Sequence, residues 1–457
     1  MKKPNRSPSP SRWLAYSILS QWEEKKGFAD HLLDENLTGS NLSLRDQRLV
    51  QTLVFGCLRH LYLLDFWIDC LAQRGKGSLP APLLRILRLA LYQSAFLDHI
   101  PQHAILAESL LLCDCLKLGG LKGLANALIR KFQAHRSDLE ARLQDHPQRL
   151  SLRTSHPQWL VDWALNRFGP EKGERWLDFN NTIPRVFLKP LVSRIEPTAP
   201  PSPFSQRLVN AALHLLDQIP EASLAPDRSG LFLPAGCQIS SLEAIQKGQA
   251  YIQDPGASHA VELLDPQPGE KILDLCAAPG GKTLQIADRV AGAADITAVD
   301  SQKVRLGLLE QNLKRCGFDN VGVVCRDLLA DPFPESFQAH AVLLDAPCTG
   351  LGTLRRRVDL RYRLEPTDIP ELADKGFQLL TNASRWVMPG GRLVYSTCTL
   401  TTEENEQAVR RFLLEHPDAW RLELEIFTPA HLFDKAESAA HELDDSDGSY
   451  CARLTRK

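Results

Sequence analysis

Two cysteines stand in polar loops that follow short apolar segments in the second half of the chain. Cys348 lies in Asp-Ala-Pro-Cys-Thr-Gly at 345–350, and Cys398 lies in Tyr-Ser-Thr-Cys-Thr at 395–399. A lone cysteine in such a place is more often a small apolar residue than a reactive one. Two of them, each in a loop leaving a predicted strand, favour nucleophilic chemistry, because the thiolate is a strong nucleophile. Asp345 places a carboxylate beside the first cysteine.

A glycine-rich turn earlier in the chain indicates a cofactor site. The predicted turn consists of Cys276, Ala277, Ala278, Pro279, Gly280, Gly281 and Lys282. It lacks the G-x-G-x-x-G pattern of dinucleotide-binding turns, and a phosphate-binding loop would need glycine where Cys276 stands. Small residues let a ligand approach the backbone closely. With no phosphate to bind, the turn favours S-adenosylmethionine, whose methionine part these small residues can accommodate.

Two aspartates follow at the ends of the next two predicted strands. Asp300 ends Ala-Val-Asp about 20 residues after the turn, which suits hydrogen bonds to a ribose hydroxyl pair. Asp327 ends Cys-Arg-Asp, where a carboxylate can accept from an adenine amino group. Either aspartate alone would more often be a helix N-cap or a solvated loop residue. At successive strand ends after that turn, they form a cofactor-binding set with Asp345.

The elements that position these residues alternate between strands and helices from about residue 246 onward. Five apolar segments read as strands: KILDLCA, ITAVD, VGVVCRD, AVLLDAP and GRLVYSTC. Amphipathic helical segments follow several of them, which predicts a doubly wound, Rossmann-like α/β fold with a parallel sheet. Ligands bind at the carboxyl ends of such strands, so the aspartates and both cysteines should converge there.

The earlier part of the chain has a different pattern. Residues 12–136 show helical spacing of apolar residues with short breaks, which predicts an all-α bundle. Residues 141–245 are mixed in character and include a Pro/Ser-rich loop at 198–205, which predicts a small α/β linker domain. We therefore expect three domains, at 1–140, 141–245 and 246–457.

Composition limits the class of protein. The chain has 457 residues, a net charge of −2 and 11 cysteines without zinc-ligand spacing, so no metal is expected. No apolar stretch suits a membrane helix or secretory signal, which makes cytoplasm the expected location. Residues 1–150 carry 20 basic against 14 acidic side chains, compatible with a nucleic-acid-binding face. The oligomeric state stays open, and a monomer is compatible with the sequence.

The motifs resemble those of a known enzyme family. CAAPGGKT, DAPCTG and YSTCT, in this order, are similar to motifs of the RNA cytosine-5 methyltransferases of the ribosomal small-subunit type. LRDQRLVQTLVFGCLRH, FLDHIPQHAILAES and GLANALIRK resemble the NusB-like RNA-binding domain that precedes the catalytic domain in that family. The resemblance implies S-adenosylmethionine as cofactor and methylation of a cytosine in RNA, with 16S ribosomal RNA as the expected partner.

The resemblance also implies roles for four residues. Cys398 matches the family nucleophile, which adds to carbon 6 of cytosine, and Cys348 takes part in releasing the product. Asp345 stabilises charge on the base, and Lys282 orients groups near it. DNA cytosine-5 methyltransferases instead use the cysteine of the Pro-Cys motif, which would make Cys348 the nucleophile.

A basic run after the first cysteine, at 355–363, is expected to bind RNA. Arginines there would contact phosphates, and Tyr362 would stack on a displaced base. Exposed arginines of the helical bundle could add phosphate contacts; the candidates are Arg45, Arg48, Arg59 and Arg130. Two other functions stay open: methylation of transfer RNA, and a non-catalytic RNA-binding role in assembly or antitermination.

Overall fold

The chain divides into two compact units. The computed structural model describes residues 7–196, 203–334, 336–428 and 445–457. Of these, the residues up to Thr182 form the first unit together with Leu354–Leu364, and the others form the second. Residues 141–182 thus fall in the first unit and 183–245 in the second, while the three-domain division stays a prediction. Residues 198–202 of the predicted Pro/Ser-rich loop lie outside the described residues.

The described part of the first unit is helical, as predicted for residues 12–136. Its α-helices are α1 (Pro10–Glu23), α2 (Ala29–Leu37), α3 (Leu44–Arg59), α4 (Leu61–Leu71), α5 (Ala81–Phe96), α6 (Gln102–Cys115), α7 (Lys122–Gln144), α8 (Arg149–Thr154), α9 (Gln158–Phe168) and α10 (Pro170–Phe179). Leucine, isoleucine and aromatic side chains at helical spacing, such as Leu53, Leu87 and Phe132, form one buried core. Ser43 caps α3 by accepting a hydrogen bond from the backbone N–H of Asp46.

The apolar run from Asp46 to Leu71 forms two helices. The chain breaks at His60, and α3 and α4 meet at an angle of 74°. Among the described residues, no single helix is long and apolar enough to span a membrane, and this pair passes that test only as a bent combination.

The basic run after Cys348 lies largely inside the first unit, so the predicted RNA contacts of Arg355, Arg361 and Tyr362 are wrong, whereas Arg357 is exposed. Val358 joins the core, and the fully buried guanidinium of Arg361 donates hydrogen bonds to the carbonyls of Thr154 and Asn180. The Tyr362 hydroxyl donates to the carbonyl of Leu58 at 2.7 Å. These donors satisfy backbone acceptors left at the ends of helices, which explains why charged side chains lie inside.

One of the four bundle arginines is also buried. Arg59 donates to the carbonyl oxygen of Arg355, and burial lowers the pKa of its guanidinium to about 10. Its predicted contact with RNA phosphates is therefore wrong. Arg45, Arg48 and Arg130 are exposed.

The second unit contains a small sheet and a large sheet. Its first part comprises β1 (Phe187–Pro190), α11 (Val192–Ile195), α12 (Phe204–Gln218), β2 (Ser223–Leu224), β3 (Leu231–Phe232), α13 (Glu243–Gln246) and β4 (Ala250–Ile252). These strands pair antiparallel in the order β2-β3-β1-β4. The remaining elements are α14 (Ser258–Leu264), β5 (Lys271–Leu275), α15 (Gly281–Arg289), β6 (Asp295–Asp300), α16 (Lys303–Cys316), β7 (Gly322–Cys325), β8 (Ala339–Asp345), α17 (Asp368–Arg385), β9 (Val387–Thr397), α18 (Glu406–Glu415), β10 (Trp420–Thr428) and β11 (Ser449–Arg456).

The large sheet has the order β10-β11-β9-β8-β5-β6-β7, which confirms the predicted doubly wound α/β fold. Strands β9, β8, β5, β6 and β7 pair in parallel, while β11 runs antiparallel between β9 and β10. The five predicted strands correspond to β5 to β9. The strand order reverses between β5 and β8, and the crevice at such a switch point is the usual ligand site of this architecture.

Candidate active site

The glycine-rich turn joins β5 to α15 at the switch point. Cys276 and Gly280 both have positive φ angles, of 59° and 105°. A Cβ added at Gly280 would lie 3.0 Å from Cγ of Leu309 on α16. Glycine is therefore required at this position both by its backbone conformation and by the close approach of α16.

Asp300 holds this turn in place from the end of β6. Its carboxylate accepts hydrogen bonds from the backbone N–H of Ala278 at 3.2 Å and of Gln302 at 2.9 Å. Arg305 approaches the same carboxylate at 3.9 Å and donates to the carbonyl oxygen of Ala278. Each carboxylate oxygen keeps a second lone pair, so Asp300 can still accept from a ribose hydroxyl.

Asp327 lies exposed after β7. One of its oxygens accepts from the backbone N–H groups of Leu329 at 2.9 Å and Ala330 at 3.4 Å, which form a turn rather than a helix. Asp327 is thus a loop residue, one of the two structural roles that the sequence left open. The other oxygen does not bind the turn, which leaves it available to a ligand.

A cleft connects these residues along the carboxyl ends of the strands. It is lined by Cys276, Asp300, Ser301, Gln302, Arg305, Arg326, Asp327, Leu328, Leu329, Pro347, Lys375 and Leu379. Three predicted residues thus share one cleft, in which carboxylates stand beside apolar side chains. That combination fits an adenosine group, whose ring needs apolar neighbours and whose hydroxyl and amino groups need acceptors. The other predicted turn residues, 277–282, follow Cys276 directly.

Lys282 and Asp345 form an ion pair between α15 and the end of β8. The Lys282 ammonium donates to the Asp345 carboxylate at 2.7 Å. Burial lowers the pKa of the ammonium, but the charge and hydrogen bond of Asp345 outweigh burial and raise it above its usual value. Lys282 is therefore protonated near neutral pH.

The two cysteines converge as predicted. Because β8 and β9 pair in parallel with Asp345 opposite Ser396, the loops that follow both strands leave the sheet side by side. Sγ of Cys348 and Sγ of Cys398 are 3.4 Å apart. Cys398 is exposed and Cys348 is half-buried. The hydrogen bond with Cys398 raises the pKa of Cys348, and burial raises it further. The thiol of Cys348 therefore stays protonated.

Several residues in and beside the site were not predicted. Asp274, the fourth residue of β5, is fully buried and accepts from the Thr283 hydroxyl at 2.6 Å. Lys375 reaches the cleft from α17, and Glu404 contacts both cysteine loops. Asp274 could have been noticed as a charged residue in an apolar strand. Lys375 and Glu404 lie in polar segments that look solvent-exposed in the sequence. Within the residues described, no cluster of His, Cys, Asp or Glu is arranged for a metal ion.

Comparison with known proteins gives consistent results for both halves of the chain. A family described as "16S rRNA methyltransferase RsmB/F" matches residues 261–455, and the NusB family matches residues 9–134. "Probable ribosomal RNA small subunit methyltransferase B" of Synechocystis sp. is 33% identical, covering 90% of this chain and 91% of that protein. "Ribosomal RNA small subunit methyltransferase B" of Yersinia pseudotuberculosis is 32% identical, covering 91% and 92%. The crystal structure of PH0851 shares the fold, with a TM-score of 0.73, 22% identity and 99% coverage of each chain.

Proposed function

This chain belongs to the RsmB/F family of 16S rRNA methyltransferases, and we propose that it methylates carbon 5 of a cytosine in 16S rRNA through a covalent adduct with Cys398. Its cofactor is S-adenosylmethionine. The observation that carries the proposal is the pair of thiols at 3.4 Å, at the same sheet edge as the Lys282–Asp345 ion pair. The NusB family match at residues 9–134 supports RNA as the substrate.

The residues of the cleft fit the cofactor. The turn from Cys276 to Lys282 would receive the methionine part, because it begins at the cleft with Cys276 and its small residues let a ligand approach closely. Asp300 would bind the ribose hydroxyls and Asp327 the adenine amino group. Asp345, at the end of the neighbouring strand β8, would be the third aspartate that binds the cofactor. When bound there, S-adenosylmethionine supplies an electrophilic methyl group.

The cysteine chemistry overcomes the weak nucleophilicity of carbon 5. The thiolate of Cys398 adds to carbon 6 of the base, and the ring becomes an enamine whose carbon 5 is nucleophilic. Negative charge develops on the ring as the carbon–sulfur bond forms. A proton held between Nζ of Lys282 and the Asp345 carboxylate can be delivered to ring nitrogen 3, which neutralises this charge. The base must leave its stack to reach this edge of the sheet.

Release of the product needs a second proton transfer. After carbon 5 is methylated, its proton must be removed and the carbon–sulfur bond to Cys398 must break. Cys348 lies within 3.4 Å of the sulfur that leaves. We assign Cys348 to this release step, in which its sulfur takes the carbon-5 proton as its own proton passes to the departing Cys398 sulfur, while ring nitrogen 3 returns its proton to the Lys282–Asp345 pair.

The test separates the two thiols with RNA that contains 5-fluorocytosine, because fluorine at carbon 5 prevents the release step. Cys398→Ala should form no covalent protein–RNA adduct, whereas Cys348→Ala should still form one, as measured on denaturing gels. An adduct that persists in Cys398→Ala and disappears in Cys348→Ala would reverse the two roles.

The RNA substrate is tested separately, by bisulfite sequencing of ribosomal and transfer RNA from a strain that lacks this gene. One cytosine of 16S rRNA should lose its methyl mark. Loss of a mark in transfer RNA would instead favour the transfer RNA alternative. No lost mark, together with no adduct in any variant, would favour a non-catalytic RNA-binding role.

A further inference from the structure

A buried carboxylate joins the two cysteine loops. Glu404 lies between β9 and α18, and only 1% of its surface is exposed. We propose that Glu404 is a positioning residue that fixes the distance between Cys348 and Cys398. The catalytic consequence of this proposal rests on the proposed function, but the positioning itself can be measured without RNA.

The first loop is held through Thr349, the residue after Cys348. The backbone N–H of Thr349 donates to Oε1 of Glu404 at 2.7 Å, and its hydroxyl donates to Oε2 at 2.6 Å. Both oxygens of one carboxylate therefore bind the same residue. This two-point attachment fixes the orientation of the loop as well as its distance from Glu404.

The second loop is held through Thr399, the residue after Cys398. Its hydroxyl lies 2.7 Å from the hydroxyl of Thr349 and 3.3 Å from Oε2 of Glu404. Thr401, further along the same loop, donates to Oε2 at 2.7 Å. The residues that directly follow the two cysteines thus meet at one carboxylate.

Asn405 fixes the second loop from the other side. Its side-chain oxygen accepts from the Thr397 hydroxyl at 2.5 Å, and its side-chain nitrogen donates to the carbonyl oxygen of Thr399 at 3.1 Å. Cys398 is consequently held at both flanking residues. Glu404 differs from Asn405 because it also reaches the Cys348 loop.

The network requires a carboxylate in particular. The Thr349 N–H and the hydroxyls of Thr349 and Thr401 all donate to Glu404, and an ionised carboxylate offers acceptors on both oxygens. Glutamine has the same shape, but its amide NH2 group replaces one of the two acceptor oxygens and would face a donor. The substitution therefore leaves one buried donor without an acceptor, which costs about 1–3 kcal/mol.

The distance matters for the proposed reaction. Cys398 must reach carbon 6 while Cys348 stays close to the same ring, and a displacement of about 1 Å can slow a reaction about 100-fold. Burial raises the pKa of Glu404 while the donated hydrogen bonds lower it. Burial is the larger effect and the pKa of Glu404 is raised overall, while the hydrogen bonds that the threonines donate offset part of that rise.

The experiment compares Glu404→Gln with Glu403→Gln, the same substitution at an exposed neighbour. Oxidised glutathione converts the two thiols to a disulfide and is itself reduced to two thiols, so the rate of Cys348–Cys398 disulfide formation reports how well they are held together. Mass spectrometry of the linked peptide measures this rate. We expect Glu404→Gln to slow disulfide formation and kcat roughly 10- to 100-fold, with the KM for S-adenosylmethionine little changed. Glu403→Gln should match the wild-type protein in each measurement.

A second pair of variants covers the case in which Glu404→Gln does not fold. Thr349→Val removes only the hydroxyl contact, so it should slow disulfide formation. Thr349→Ser retains the hydroxyl, so it should form the disulfide at the wild-type rate. Wild-type rates in Glu404→Gln, or equal rates in the two Thr349 variants, would overturn the proposal. Failure of the wild-type protein to form the 5-fluorocytosine adduct would contradict the proposed function instead, and the disulfide rates would still decide the positioning.

Discussion

Asp274 is a carboxyl group without exposed surface in β5, two residues before Cys276 of the glycine-rich turn. Thr283 donates to one of its oxygens, while the other has no hydrogen-bond partner among the described residues. Burial raises the pKa of Asp274 to about 7, with the nearby charge of Asp345 adding to the effect. A carboxyl group in this position titrates near physiological pH, so it should make stability depend on pH.

We predict that Asp274→Asn reduces this dependence. Below the unfolded pKa of 3.8 the folded and unfolded states both hold the proton. As pH rises toward 7, only the unfolded chain releases it, so the native state loses up to on the order of 4 kcal/mol of stability. Thermal unfolding between pH 4 and 8 should show a smaller fall in Tm for Asp274→Asn than for the wild-type protein.

The exposed Asp295→Asn is the matched control for this measurement. It removes the same charge from a surface position at the start of β6, and its Tm should follow the wild-type profile. Parallel profiles for Asp274→Asn and the wild-type protein over pH 4–7 would contradict the assigned titration.

At the scale of elements, the strands β5, β6, β8 and β9 could be predicted because buried parallel strands have continuous apolar segments. The edge strand β7 is partly exposed, and its two valines indicated it instead. The glycine-rich turn could be predicted because glycine and alanine follow the first of these strands. The convergence of Cys348 and Cys398 followed from the rule that parallel strands end at one sheet edge. Glu404 could not be predicted, because a glutamate in a polar loop gives no sign that three threonines will surround it.

The glycine-rich turn allows a test with two adjacent glycines. Gly280 has a positive φ and meets Leu309 at 3.0 Å, whereas a Cβ at Gly281 would find its nearest neighbour at 3.6 Å. Gly280→Ala should therefore destabilise the protein by about 1–3 kcal/mol, and Gly281→Ala should not. Thermal unfolding without cofactor measures this difference, and equal Tm values in the two variants would show that the turn tolerates a side chain.

At the scale of the whole molecule, the segment Leu354–Leu364 could not be predicted correctly. Five arginines and an aspartate among its residues gave the appearance of a solvent-exposed RNA-binding loop. Its buried position depends on partners about 200 residues earlier, since Arg361 binds the carbonyls of Thr154 and Asn180. Local composition contains no information on such distant pairings.

We predict that a fragment comprising residues 183–457 exposes this segment. Without residues 1–182, Val358 and Arg361 have lost the core and the carbonyls that they contact. Trypsin should then cleave the fragment after Arg355 or Arg361, while both positions resist cleavage in the full chain, as measured by mass spectrometry of timed digests. Arg357 is exposed in the full chain and is the internal control. Whether trypsin cleaves the full chain after Arg357 shows whether exposure alone is sufficient for cleavage. Equal resistance of fragment and full chain would contradict the prediction.

The position of Leu354–Leu364 also affects how the protein is made. A ribosome completes Thr182 long before it reaches Leu364, a gap of 182 residues. At roughly 5–20 residues per second, that delay lasts about 10–40 s. During this time the amino-terminal helices lack Val358, and the carbonyls of Thr154 and Asn180 lack their guanidinium donor. We therefore expect the nascent amino-terminal helices to stay incompletely packed until the later segment arrives.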